Sequence, residues 1–196
     1  MLPLNKYVFH LFVYSIIFLS IFAFAIPKDD ILYWTKNKRL SFSDFLGTPG
    51  KEDSVINHQQ KLTHTFGTIS KSIDLKYLTK QGKTIFTIYA GMNKKLSWIR
   101  NYDDSITLKH EQAHFDICEM YARKLRRDTK KVKSLIEAKE IYNKISEEEN
   151  EEQDFFDKEN TFISGGVTLE WEKKIKMRLD SLALYNSPIV IMHIYK

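Results

Sequence analysis

The apolar positions of this chain change their period once, near residue 104. Before that point they cluster in short runs or alternate. Ile31-Leu32-Tyr33-Trp34 predicts a first strand, and Leu62 to Ile69 another. Ser72 to Tyr77 and Thr84 to Ala90 are rich in residues that fit a pleated, half-buried surface. They flank Thr79-Lys80-Gln81-Gly82-Lys83, so the pair predicts a hairpin about a glycine-containing turn. Arg39 to Phe45 leads into Gly47-Thr48-Pro49-Gly50, a loop by composition, and Leu96-Ser97-Trp98-Ile99 is one more short apolar run.

After residue 104 the spacing becomes three and four. Ile106, His110, Ala113, His114, Ile117, Tyr121 and Leu125 lie on one stripe, which predicts an amphipathic helix capped by Asp104 or Ser105. Val132, Leu135, Ile136, Lys139, Tyr142 and Ile145 carry the same spacing into a second helix after Asp128-Thr129. Gly165-Gly166 breaks the pattern. Leu169, Trp171, Ile175, Leu179 and Leu182 predict a third helix, and Ile189 to Tyr195, beyond Pro188, a last strand. Strands first and helices later, with no internal repeat and no linker, predict one α+β domain.

Composition changes this picture mainly at the N-terminus. Lys6 is the only charged residue in positions 1 to 25, and an apolar run to Ala25 is broken only by His10, Ser15 and Ser20. Ala23-Phe24-Ala25 then offers an A-x-A site. Residues 1–25 are therefore expected to be a cleaved signal peptide, which makes 26–196 the mature domain, periplasmic or secreted. The alternative is a retained anchor, since the run nears the length a bilayer needs. No other segment is apolar enough to span a membrane. Without Lys6 the chain carries 29 basic and 25 acidic side chains, a net +4, too small an excess to argue for nucleic acid. A monomer is expected, with no membrane contact once the signal peptide is cleaved. The basic stretch Lys124 to Lys133 and the acidic stretch Glu147 to Glu159 read as two solvated faces. Cys118 is the only cysteine, so no internal disulfide can form and stability must come from the core.

The chemistry concentrates in His110-Glu111-Gln112-Ala113-His114. Residues four apart on a helix differ by only about 40° around its axis, so both imidazoles can point at one place. That spacing suits two nitrogens on one zinc ion. Glu111 projects toward the same end, where a carboxylate can take a proton from a water on the metal and pass it to a leaving amine. A catalytic zinc keeps three protein ligands. Glu119 lies about 180° around the helix and faces away, and Asp116 is off the face, placed to orient a neighbour. Glu137 and Glu140 on the second helix, and Asp157 and Glu159 beyond them, remain as candidates. His58 and His64 read as exposed histidines, Cys118 as a packed small residue, and Trp98 and Trp171 as core.

Leu96-Ser97-Trp98, the run Leu108 to Ile117 (LKHEQAHFDI) and Tyr121 to Leu125 (YARKL) together resemble a bacterial family of secreted zinc-dependent proteases. Leu40 to Phe45 (LSFSDF) is similar to the family's L-x-W-x-D-F element, with Phe42 in place of Trp. Phe156-Asp157-Lys158-Glu159 is similar to its Y-D-x-E element, and Trp171 to the tryptophan of its last helix. The resemblance covers most of the mature chain, and HEQ-x-HFD is its most specific part. It implies a single zincin-like domain: a small antiparallel or mixed sheet, the H-E-x-x-H helix, and two further helices. It implies a zinc metallopeptidase that hydrolyses peptide bonds through a zinc-bound water, with His110 and His114 as ligands and Glu111 as base. Asp157 becomes the third ligand, because the family element retains it and another H-E-x-x-H class uses an aspartate there. The substrate would be a peptide or protein lying antiparallel to an edge strand, for which Thr84 to Ala90 is the candidate. Phe156 stands where the family has Tyr, and Phe162 where it has His. Those departures imply an alternative, a catalytically impaired envelope binding or interaction protein.

Overall fold

The longest strand is the eleven-residue β4, Lys83–Asn93, and the remaining sheet is built around it. In the computed structural model the described residues are 30–49, 67–100, 104–160 and 166–193. All the elements below lie in one compact unit, Ile31–Lys196. Strand β3, Lys71–Lys80, pairs antiparallel along one side of β4, in register from Lys71↔Met92 to Lys80↔Lys83. The two-residue turn Gln81-Gly82 has positive φ at both positions, 50° and 73°. That is the conformation whose twist matches a hairpin, and it favours glycine at the second position. On the other side of β4 lie β1, Ile31–Tyr33, opposite Gly91 to Asn93, and β6, Ile189–His193, opposite Lys83 to Thr87. Thr84 to Ala90 is therefore interior to the sheet, not an edge. Its backbone groups are already used by β3 on one side and by Trp34, Pro188 and β6 on the other. The expectation that a peptide adds to it is overturned, and among the described residues β3 pairs only with β4.

Strand β4 alternates between buried Thr84, Phe86, Ile88, Ala90 and Met92 and a more exposed opposite face. The buried face packs under α1 (Ser105–Thr129), and α2 (Leu135–Asn160) and α3 (Leu169–Ser181) pack in turn against α1. A second small sheet, β2 (Gly67–Thr68) with β5 (Trp98–Ile99), closes over the start of α1. The architecture is α+β with antiparallel sheets. Among the described residues no helix is long and apolar enough to cross a membrane. The segments 1–25 and 162–165, with His58 and His64, lie outside the described residues, as does most of the strand expected at Leu62 to Ile69.

Helix α1 differs from a simple amphipathic helix, because it is buried on nearly every side. Asp104 caps it by accepting from Ile106 N–H at 3.1 Å and Thr107 N–H at 3.0 Å. Arg126 and Arg127 in the last turn suit the negative end of its dipole. The buried polar side chains on it have partners except for Thr129, whose hydroxyl has none among the described residues. Asp116 accepts from Trp34 Nε1 at 2.7 Å, Arg39 at 2.8 Å and Gln112 Nε2 at 2.9 Å, while Gln112 Oε1 accepts from Leu40 N–H. This ties residues 39–45 to the helix and accounts for the LSFSDF element. Glu119 faces away from the histidines and accepts from Arg123 and Arg126. The basic and acidic stretches are not two separately solvated faces: Lys124 pairs with Glu148 across α1 and α2.

Candidate metal centre

His110 and His114 face α2, where Asp157 meets them. Asp157 Oδ1 lies 3.1 Å from His110 Nε2 and 2.9 Å from His114 Nε2, and the two Nε2 atoms are 3.1 Å apart. The opposite ring nitrogens are committed elsewhere. His110 Nδ1 is 2.9 Å from the carbonyl of Gly166, which can only accept, so Nδ1 carries the proton. His114 Nδ1 is 2.5 Å from Gln153 Oε1, whose amide nitrogen donates to the His114 carbonyl at 3.1 Å and to Glu149 at 2.6 Å. That leaves Oε1 as an acceptor and fixes the same tautomer on His114. In the neutral rings both Nε2 atoms then present lone pairs to one carboxylate oxygen. Three acceptors converge where only a proton or a cation can satisfy them together.

The neighbourhood holds this arrangement rigid. The Phe156 ring is fully buried and packs on both imidazoles, with centroids 4.8 and 4.9 Å away, and is itself backed by Trp171 at 5.2 Å. Gly166 has φ +75°, and a Cβ there would meet the Ile106 carbonyl oxygen at 2.4 Å. Only glycine at 166 lets its own carbonyl come onto His110. Asn160 at the end of α2 accepts from Thr168 N–H at 2.8 Å and fixes the far side of the same loop. Lys71 Nζ, on β3, reaches Glu149 at 2.9 Å, so a buried line of polar contacts runs from the sheet through Glu149 and Gln153 to His114.

The electrostatics follow from burial and from this convergence. Desolvation opposes a charge on His110, but the hydrogen bonds to Asp157 and the Gly166 carbonyl and the nearby Glu111 outweigh it, so its pKa is raised. Burial alone would raise Asp157, yet the bonds from His110 and His114 hold it well below the usual carboxylate range. Glu111 is buried, and desolvation pushes its pKa up against the pull of the two histidines. Its carboxylate accepts the backbone N–H of Ile69 and sits over Gly67, where an added Cβ would come within 3.2 Å of Oε1. Small sheet and helix thus meet at Glu111.

The other candidates lie elsewhere. Glu137 and Glu140 are exposed, Glu137 accepting from Lys133 N–H. Glu159 accepts from Trp171 Nε1 at 2.7 Å. Cys118 is wholly buried, which raises its pKa far above that of a free thiol, and Trp98 is buried. Sequence reasoning passed over Gln153 and Glu149. The spacing of Glu149, Gln153 and Asp157 at intervals of four on α2 was the available signal, since it puts all three on one face. Gly166 gave only the signal of a glycine pair. A cavity of about 1010 Å³ lies on the other side of α1, between α3 and residues 34–40. Its floor is Asp116, Glu119 and Arg123, all paired with one another or with neighbours, so the converging acceptors and not the cavity mark the site.

No family model, no curated protein and no solved structure matches this chain.

Proposed function

We propose that the chain is an exported, metal-dependent peptide hydrolase of zincin type, with zinc held by His110, His114 and Asp157 and with Glu111 as general base. The observation that carries this reading is the convergence of two Nε2 lone pairs and a carboxylate oxygen within 2.9 to 3.1 Å. Ligand atoms around a tetrahedral zinc at about 2.0–2.1 Å stand about 3.3 Å apart, so the three need move outward only by tenths of an ångström. Two nitrogens and one carboxylate oxygen are a donor set zinc accepts, and the Gly166, Gln153 and Glu149 contacts are the kind of outer support that orients such ligands. When bound, zinc supplies Lewis acidity, polarising a carbonyl and acidifying water. Glu111 supplies the proton traffic. Its raised pKa makes it a stronger base than an exposed glutamate, and its bond to Ile69 N–H fixes its direction. Asp157 would offset one of the two positive charges of a bound zinc ion. A second reading, a metal-binding interaction module, is favoured by Phe156: the side chain stacked on both imidazoles has no hydroxyl to stabilise an oxyanion. Glu111→Gln separates the two. A hydrolase loses activity on a peptide library by on the order of a hundredfold or more while keeping its metal; unchanged activity, or none in either protein at full metal loading, sinks the hydrolase reading.

A further inference from the structure

The outer face of the large sheet is a separate feature, and nothing in the metal centre depends on it. The helices cover only the inner face, where Phe86, Val190 and Met192 are buried. On the outer face the register sets Leu78, Ile85 and Ile191 side by side in one row, and Lys76, Thr87 and Ile189 in the next. The four aliphatic residues are 37 to 65% exposed and contiguous. Such a patch on a monomer marks a contact surface. Beyond the aliphatic row the hairpin ends in Lys80 opposite Lys83. Lys76, Lys80 and Lys83 are exposed and form no ion pair among the described residues. On β3 the nearest acidic residue of this face is Asp74, one row past Lys76.

We propose that this sheet face docks on an anionic lipid bilayer, with Leu78, Ile85, Ile189 and Ile191 entering the headgroup boundary and the three lysines meeting lipid phosphates. The charge pattern selects this occupant. A second copy on a two-fold axis would set lysine against lysine, and like charges across an interface are unfavourable. Nucleic acid would find cations but aliphatic branches where aromatic platforms are needed for bases to stack. An anionic bilayer satisfies both parts, apolar groups within and cations at the surface. Docked in this way, the sheet separates the membrane from the helix layer, and the His110 centre stays turned toward peptides in solution.

The test uses the full chain with Thr87→Cys carrying an environment-sensitive fluorophore in the middle of the patch. Cys118 is wholly buried and stays unlabelled in the folded protein. A label on the outer face reports contact there even if another part of the chain holds the protein to a membrane. The expected result is a blue shift on phosphatidylcholine vesicles containing phosphatidylglycerol, none on phosphatidylcholine alone, and loss of the shift at high salt. Lys76→Glu, Lys80→Glu and Lys83→Glu together should abolish it, with the circular dichroism unchanged, and a Glu140→Cys label on α2 should not respond. No shift on anionic vesicles overturns the proposal. So does a shift that survives the triple substitution, or one that grows with protein concentration without vesicles, which would make the face a self-association surface.

Discussion

Gln153 shows how one uncharged side chain can set the chemistry of a histidine. Its amide spans His114 Nδ1, the His114 carbonyl and Glu149, and all three contacts are buried. Gln153→Ala leaves the His114 ring free to turn and to change tautomer. Metal affinity should fall about 10- to 100-fold in a competition titration while His110 and Asp157 stay in place. His110 makes a second prediction, about pH. Its folded pKa is raised above the ordinary histidine value, so in metal-free protein its stabilisation is complete below that ordinary value and is lost as pH rises through the folded pKa. The Asp157 pKa is depressed, so its share is present above the ordinary aspartate value and is lost only as pH falls through its folded value. Metal and proton compete for the same Nε2 atom. Zinc affinity should therefore weaken by about tenfold per pH unit below the His110 pKa, measured by titration at stepped pH. Affinity independent of pH from 5 to 8 (about the histidine range) would mean that this nitrogen is not a ligand.

Helix α1 carries the site because it is held from every direction. Glu119 accepts from Arg123 at 2.8 Å and Arg126 at 2.8 and 3.2 Å, and those guanidiniums continue to the carbonyls of Leu179, Ile88 and Tyr185. One carboxylate thus joins α1 to the sheet, to α3 and to the turn after it. Glu119→Ala would leave two buried cations without their counter-charge and should cost about 3–5 kcal/mol, read as a lowered midpoint in urea. Gly166→Ala acts on another element, the loop between α2 and α3. It should lower both stability and metal affinity, because the displaced carbonyl no longer holds His110; a variant that keeps wild-type affinity would show that the contact is dispensable. The helices and the hairpin were legible in the sequence because period and turn chemistry are local. The position of Thr84 to Ala90 was not: alternation shows that one face is buried, but not which strands take its two edges. Residues at 34 and 188–193 claim one edge, and no local signal announces pairing at that separation.

In the whole molecule, one α+β unit sets a histidine pair from its central helix against an aspartate from the next. The pair was legible because its spacing is helical and short. Asp157 came from resemblance to a family element, and geometry places it at the same point, 47 residues from His110 in sequence. The supports were hidden for physical reasons. Gln153 acts from the facing helix, Gly166 through a backbone carbonyl, and Ile69 through a backbone N–H, and none of those roles requires a distinctive side chain. The central claim is that these three acceptors exist to hold a divalent cation. The most direct measurement is metal content by mass spectrometry on chain purified without chelator, beside Asp157→Ala and the double variant His110→Ala, His114→Ala. The account predicts about one zinc per chain in the first, a reduced and easily dialysed content in the second, and none in the third. No metal in the unaltered chain, with added zinc failing to raise its melting temperature, would contradict it and leave His110, His114 and Asp157 as a buried proton-sharing cluster.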